Sequence, residues 1–118
     1  PLGPTRGTEP AADFVIGDRF GSACDAALSA AAFDYFAAAG RSAAHNRPYA
    51  GGYGLDRHSA PGRGVHALQL EICRSTYLDA ALAEPGPGLA AVVRTVVGLV
   101  QRLAQELAAG RRFAQAAE

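Results

Sequence analysis

The run Val65-His66-Ala67-Leu68-Gln69-Leu70-Glu71-Ile72 places an amide and a carboxylate two positions apart in an otherwise apolar, strand-like segment. In an extended strand alternate side chains share a face, so Val65, Ala67, Gln69 and Glu71 lie on one side and His66, Leu68, Leu70 and Ile72 on the other. A carboxylate near the end of a buried strand is costly unless it is paired or used. Spacing alone leaves two readings of Glu71: a plain ion pair with an arginine, or a group used on a small polar substrate. Two further strand-like segments end in chemistry-bearing residues beside turns, Asp18-Arg19 after the first and Asn46-Arg47 after the second. If the strands run parallel, these groups gather beyond the carboxyl ends, where open α/β sheets bind ligands. Carboxylate, guanidinium and amide together suit a small polar substrate.

The elements that must position these groups are legible in pattern. Asp13-Phe14-Val15-Ile16 reads as a short buried strand closed by the loop Gly17-Asp18-Arg19-Phe20-Gly21. Cys24 to Ala39 is alanine-rich and favours helix, with Ser22 and Asp25 as a capping box, Gly40 as the stop, and Leu28, Ala32, Tyr35, Phe36 and Ala39 on one stripe. Ser42 to Asn46 reads as a second strand, and strand, helix, strand in that order suggests a right-handed crossover between parallel strands. Arg47 to Gly64 is a long loop with two prolines and the pair Gly51-Gly52, of the kind that often carries function. After the turn-rich Glu84-Pro85-Gly86-Pro87-Gly88 comes a long helix with Leu89, Val92, Val93, Val96, Val100, Leu103 and Leu107 at helical spacing. Gly110 with Arg111 and Arg112 is expected to end it. This gives an exposed lead-in over 1–12, an α/β unit over 13–109 and a loosely held tail over 110–118.

The 118 residues carry 11 basic and 11 acidic side chains, a formal net charge of zero. No broad field therefore attracts nucleic acid or an anionic membrane, and selectivity must be local. No apolar run approaches the roughly 20 residues needed to cross a bilayer, and the first residues lack the basic start and apolar centre of a signal peptide. Cys24 and Cys73 have no close cysteine partner and no metal-ligand spacing, which fits reduced thiols in a cytoplasmic protein.

Three blocks in order resemble the N-formylglutamate amidohydrolases, a family similar in fold to the zinc carboxypeptidases. They are Asp13-Phe14-Val15-Ile16-Gly17-Asp18-Arg19-Phe20-Gly21, then Asn46-Arg47-Pro48-Tyr49-Ala50-Gly51-Gly52-Tyr53, then Gly64 to Arg74 with Tyr77 following. The resemblance covers residues 13–79. It implies an α/β fold, part of a mostly parallel or mixed sheet with flanking helices, corresponding to the C-terminal portion of the enzyme. It also implies hydrolysis of N-formyl-L-glutamate to L-glutamate and formate, the last step of a bacterial histidine-degradation route. Glu71 would be the general base. Arg19, Asn46, Arg47 and Tyr49 would hold the substrate carboxylates, with Gln69 and Tyr53 also lining the pocket. Tyr49 or Tyr53 would close over the substrate or serve in packing.

The zinc of the intact enzyme would not be bound by this chain. The carboxypeptidase pattern holds its metal with a His-x-x-Glu pair and a later histidine, all upstream of the catalytic glutamate, and no His-x-x-Glu occurs here. His45, His58 and His66 lack compact ligand spacing, and His66 should point away from Glu71. They read as structural or surface histidines. The chain is thus expected to be inactive alone. A competing reading is a non-catalytic α/β domain used in binding or assembly, which would self-associate through an exposed sheet edge. Another keeps the hydrolase and changes the substrate to a different N-acyl amino acid.

Overall fold

The computed structural model describes residues 12–117, with side chains to Gly110; residues 1–11 of the expected lead-in over 1–12 and the final residue lie outside it. Three strands, β1 (Phe14–Gly17), β2 (Ala43–His45) and β3 (Gln69–Ile72), form a sheet in the order β2-β1-β3. Helix α1 (Ala26–Ala38) joins β1 to β2, a short helix α2 (Tyr53–His58) interrupts the connection from β2 to β3, and α3 (Leu89–Ala117) closes the chain. The α/β expectation holds, and the sheet is mixed.

β1 is central because its sequence is apolar on both faces. Phe14, Val15 and Ile16 are each no more than 2% exposed. Phe14 and Ile16 face α1 and α3, where they join Ala32, Phe36, Val92 and Leu99 in one core, with Leu68, Leu70 and Ile72 packed against it. The Phe14 and Phe36 rings stack with centroids 4.4 Å apart. Burial of side chains this large is worth about 1.5–3 kcal/mol each, so this face of the sheet carries the stability of the unit. The other face holds Val15, packed with Cys73 and Ala44. The alternation read for the third strand is therefore correct, with its leucines and isoleucine inward and Gln69 and Glu71 on the opposite face.

The direction of β3 differs from the expectation. β1 pairs with β2 in parallel, but with β3 antiparallel, Val15 opposite Glu71 and Gly17 opposite Gln69. The carboxyl end of β3 therefore lies beside the start of β1, and the three strand ends do not gather at one rim. The strand is also shorter than residues 65–72: Val65 instead forms an isolated bridge to Ala60.

Helix ends show smaller differences. α1 begins at Ala26 with Asp25 as N-cap and no side-chain cap hydrogen bond. The capping box does not form, because the Ser22 hydroxyl donates to the Arg19 carbonyl instead, at 2.8 Å. Its C-terminus ends as foreseen at Gly40, which takes a φ of 71°, and the Arg41 amide closes the turn on the Phe36 carbonyl. Ala39, placed on the buried stripe from sequence, is exposed at this cap. α3 does not stop at Gly110 but continues to Ala117. One glycine costs a helix only about 1 kcal/mol relative to alanine, and the surrounding alanines, glutamines and arginines favour continuation. α1 and α3 meet closely at Gly98, where an added Cβ would strike Tyr35, and the Tyr35 hydroxyl donates to the Thr95 carbonyl at 2.6 Å.

Candidate active site

The site is built on the end of β1. Asp18, the first residue past the strand, is 2% exposed. Its Oδ1 accepts hydrogen bonds from the Gly21 amide at 3.0 Å and Asn46 Nδ2 at 2.8 Å. Its Oδ2 accepts from the Ser29 hydroxyl at 3.0 Å and meets His45 Nε2 at 2.8 Å. Four partners fill the acceptor capacity of a carboxylate. Burial by itself raises the Asp18 carboxyl, but the hydrogen bonds from Asn46, His45, Gly21 and Ser29 together outweigh it and hold the group below its ordinary value. Asp18 therefore stays charged and ties β1, α1 and β2 together.

This hub fixes an unusual turn. Arg19, Phe20 and Gly21 all have positive φ, at 55°, 55° and 89°, a conformation that costs a non-glycine residue roughly 1–2 kcal/mol. The Asp18 carboxylate on the Gly21 amide and the Asp18 carbonyl on the Ala23 amide offset that cost. The turn directs Arg19 toward the glycine loop. There its amide donates to the Ala50 carbonyl at 2.8 Å, its Nη1 to the Gly51 carbonyl at 3.3 Å and its Nε to Asp56 Oδ1 at 3.1 Å.

Asn46 leaves β2 with a φ of 62° and is 6% exposed. Its Oδ1 accepts the Asp18 amide at 2.9 Å while its Nδ2 donates to the Asp18 carboxylate. Arg47 is exposed and makes no hydrogen bond or ion pair among the described residues. Tyr49 and Tyr53, at 50% and 77% exposed, stand on the same loop. That stretch is more ordered than a plain loop, since α2 starts at Tyr53 and Pro61–Arg63 form a 3-10 turn.

Gly17, opposite Gln69 of β3, is where the loop meets β1. A Cβ there would lie 2.7 Å from the Ala50 carbonyl carbon and 2.9 Å from the Gly51 amide, so the loop backbone rests directly on the strand. Strand alternation puts Gly17 on the face of Val15, which is also the face of Gln69 and Glu71. Gln69 Nε2 lies 3.3 Å from Glu71 Oε1, and both residues are half-buried. Gln69 and Glu71 thus share a face of the sheet with the point where the glycine loop rests on Gly17, although the parallel rim inferred from sequence does not exist. Sequence reasoning noted Asp18 only as a strand-end residue. It did not identify Ser29 or Asp56, which carry no local signal.

His45 and His66 make structural contacts, and His58 is exposed on α2. His45 serves Asp18 and packs edge-on to Phe33, with ring centroids 5.0 Å apart. His66 Nδ1 accepts the Asp25 amide at 3.1 Å, at the start of α1. Among the described residues no three histidine, cysteine, aspartate or glutamate side chains converge as a metal site requires, so these residues do not by themselves fit a zinc ion. Both cysteines are buried, and burial pushes the Cys24 thiol up. No described helix is long and apolar enough to cross a membrane.

Comparison with known proteins gives consistent results. A family model described as N-formylglutamate amidohydrolase matches residues 1–78. The N-formylglutamate deformylase of Pseudomonas aeruginosa is 40% identical over 68 residues, which is 57% of this chain and 26% of that protein. The crystal structure of an N-formylglutamate amidohydrolase from Ralstonia eutropha superposes with a TM-score of 0.80 at 30% identity, covering 89% of this chain and 38% of that one. The chain thus spans about a quarter to two fifths of the length of these relatives.

Proposed function

The chain belongs to the N-formylglutamate amidohydrolase family, and from that premise we propose that it supplies the general base and part of the substrate pocket for hydrolysis of N-formyl-L-glutamate to L-glutamate and formate. The supporting observation is the shared face of β1 and β3, where Gln69 and Glu71 project beside Gly17 and the loop that rests on it. The Glu71 carboxylate takes a proton from the attacking water and returns it to the nitrogen that leaves as the glutamate amine. Gln69, in contact with Glu71, orients that carboxylate. Arg47, exposed at the start of the loop, binds a substrate carboxylate through its guanidinium fork, and Tyr49 and Tyr53 add ring and hydroxyl contacts from the same loop. Asn46 has its side-chain amide engaged with Asp18, and Arg19 has its Nε and Nη1 engaged with Asp56 and Gly51.

Zinc belongs to this reading only through residues outside the described ones, whose own side chains do not fit it; the chain by itself is then inactive. A cytoplasmic setting in histidine degradation, with a small-molecule substrate, completes the proposal and accords with two cysteines that are not joined in a disulfide.

The test is a transplant. The matched segment of this chain replaces its counterpart in the Pseudomonas aeruginosa deformylase, and formate release is measured. The expected chimera is active, and Glu71→Gln in a chimera with unchanged circular dichroism loses about 10²–10⁴-fold in turnover. Turnover within a few-fold of the parent chimera after Glu71→Gln would remove Glu71 from the chemistry. The 118-residue chain with added zinc is expected to release no formate; turnover with one tightly bound zinc would show the site to be complete.

A further inference from the structure

We propose that Asp18, Arg19 and Asn46 are positioning residues that clamp the loop of residues 47–56 onto the Glu71 face of the sheet, and that Arg19 and Asn46 do not bind substrate; this deepens the reading of the site given above.

The loop leaves β2 at Asn46 and enters α2 at Tyr53. Its first anchor is the Asn46 side chain, which pairs with Asp18 at both ends of its amide, 2.9 Å from the Asp18 amide and 2.8 Å from its carboxylate. Its second is the Asn46 amide on the Ile16 carbonyl at 2.8 Å. The remaining anchors all come from Arg19, which holds Ala50, Gly51 and Asp56 with its backbone amide and guanidinium. One dipeptide, Asp18-Arg19, therefore grips the loop at its beginning, middle and end.

Such a grip leaves Asn46 unable to serve as a substrate ligand and commits Arg19 Nε and Nη1 to the loop. For Asn46 to turn toward a substrate, the buried Asp18 carboxylate and amide would each lose a partner, and buried polar groups are strongly penalised for that. Arg19 would have to release Asp56 and Gly51 to turn its Nε and Nη1 toward a substrate. Arg47 has no such engagement among the described residues. Gly17 completes the device, because the absence of a side chain lets the clamped peptide of Ala50 and Gly51 lie against β1.

Hydrogen exchange of the isotopically labelled 118-residue chain tests the clamp independently of activity. Arg19→Ala and Asp56→Asn are expected to accelerate exchange in residues 47–56 by roughly 5–10-fold, the loss of a charge-assisted hydrogen bond, with the amides of β1 and β3 unchanged. Asp56→Glu is expected to keep protection within about 3-fold, as a carboxylate that preserves the pair. Unchanged loop exchange in both Arg19→Ala and Asp56→Asn overturns the proposal, as does equal acceleration of loop and sheet, which marks a purely global effect. In the chimera, Arg19→Ala is expected to lower kcat with KM held, whereas Arg47→Ala raises KM. A rise in KM alone for Arg19→Ala makes it a substrate ligand and also overturns the proposal. If Glu71→Gln leaves the chimera active, the catalytic reading fails while the exchange result still decides the clamp.

Discussion

Gly17 offers the most exacting check on how the loop and sheet fit. In Gly17→Ala the new Cβ would sit 2.7 Å from the Ala50 carbonyl carbon, 2.8 Å from its oxygen and 2.9 Å from the Gly51 amide, where ordinary contact begins at 3.4 Å. The peptide must retreat by 3.4 − 2.7 = 0.7 Å at the closest atom. All three atoms are backbone, so no rotamer change relieves the overlap. Retreat also lengthens the 2.8 Å bond from the Arg19 amide to the Ala50 carbonyl. Overpacking of this kind costs about 1–3 kcal/mol and a weakened hydrogen bond up to about 1 more, so the expected loss is about 1–4 kcal/mol. Gly54→Ala is the control. It lies in α2 with open space around its Cβ position, and replacing a helical glycine by alanine stabilises by roughly 0.5–1 kcal/mol. Urea unfolding followed by circular dichroism reads both: with a slope of about 2 kcal/mol/M, Gly17→Ala should lower the midpoint by about 0.5–2 M and Gly54→Ala should raise it slightly. A Gly17→Ala midpoint equal to that of the unaltered chain would refute the contact between loop and strand.

The Asp18 carboxyl lies below its ordinary value in the folded chain, so its contribution to stability is complete above the unfolded pKa of about 3.9 and is lost as pH falls through the folded value. Urea midpoints measured from pH 6 down to pH 2.5 should fall through the acid range, and Asp18→Asn should flatten that fall while lowering the midpoint at pH 6; an identical acid limb in the variant contradicts the assignment. Tyr35→Phe removes the hydroxyl bonded to the Thr95 carbonyl at 2.6 Å and should cost about 1 kcal/mol, read as a midpoint shift with no change in far-ultraviolet circular dichroism. Phe36→Ala empties the position stacked on Phe14 and should cost about 3–5 kcal/mol; a loss below about 1 kcal/mol would contradict the central place of that ring pair.

The alternation of Gln69 and Glu71 against Leu68, Leu70 and Ile72 was legible without a structure, because side chains alternate in any extended strand whatever its neighbours do. For the same reason alternation is silent on direction. Whether β3 runs parallel or antiparallel to β1 depends on the path of residues 47–68, and only the folded chain shows Val15 opposite Glu71. The three ordered blocks pointed to the family, and the position of Glu71 within the last of them marked the candidate base. The clamp was beyond the reach of sequence. Asp18 and Asn46 are 28 positions apart, and Arg19 and Asp56 are 37 apart, so no local periodicity links them. Asn46 and Arg19 were read as donors for a substrate because their chemistry suits a carboxylate; tertiary packing supplied each with acceptors inside the protein. Gly110 likewise read as a helix stop, yet α3 continues through it, since a glycine ends a helix only where the chain has reason to turn. Glu71 was thus placed on its face by the sequence, while the direction of its strand and the loop that comes to lie on that face were decided by contacts between residues far apart in the chain.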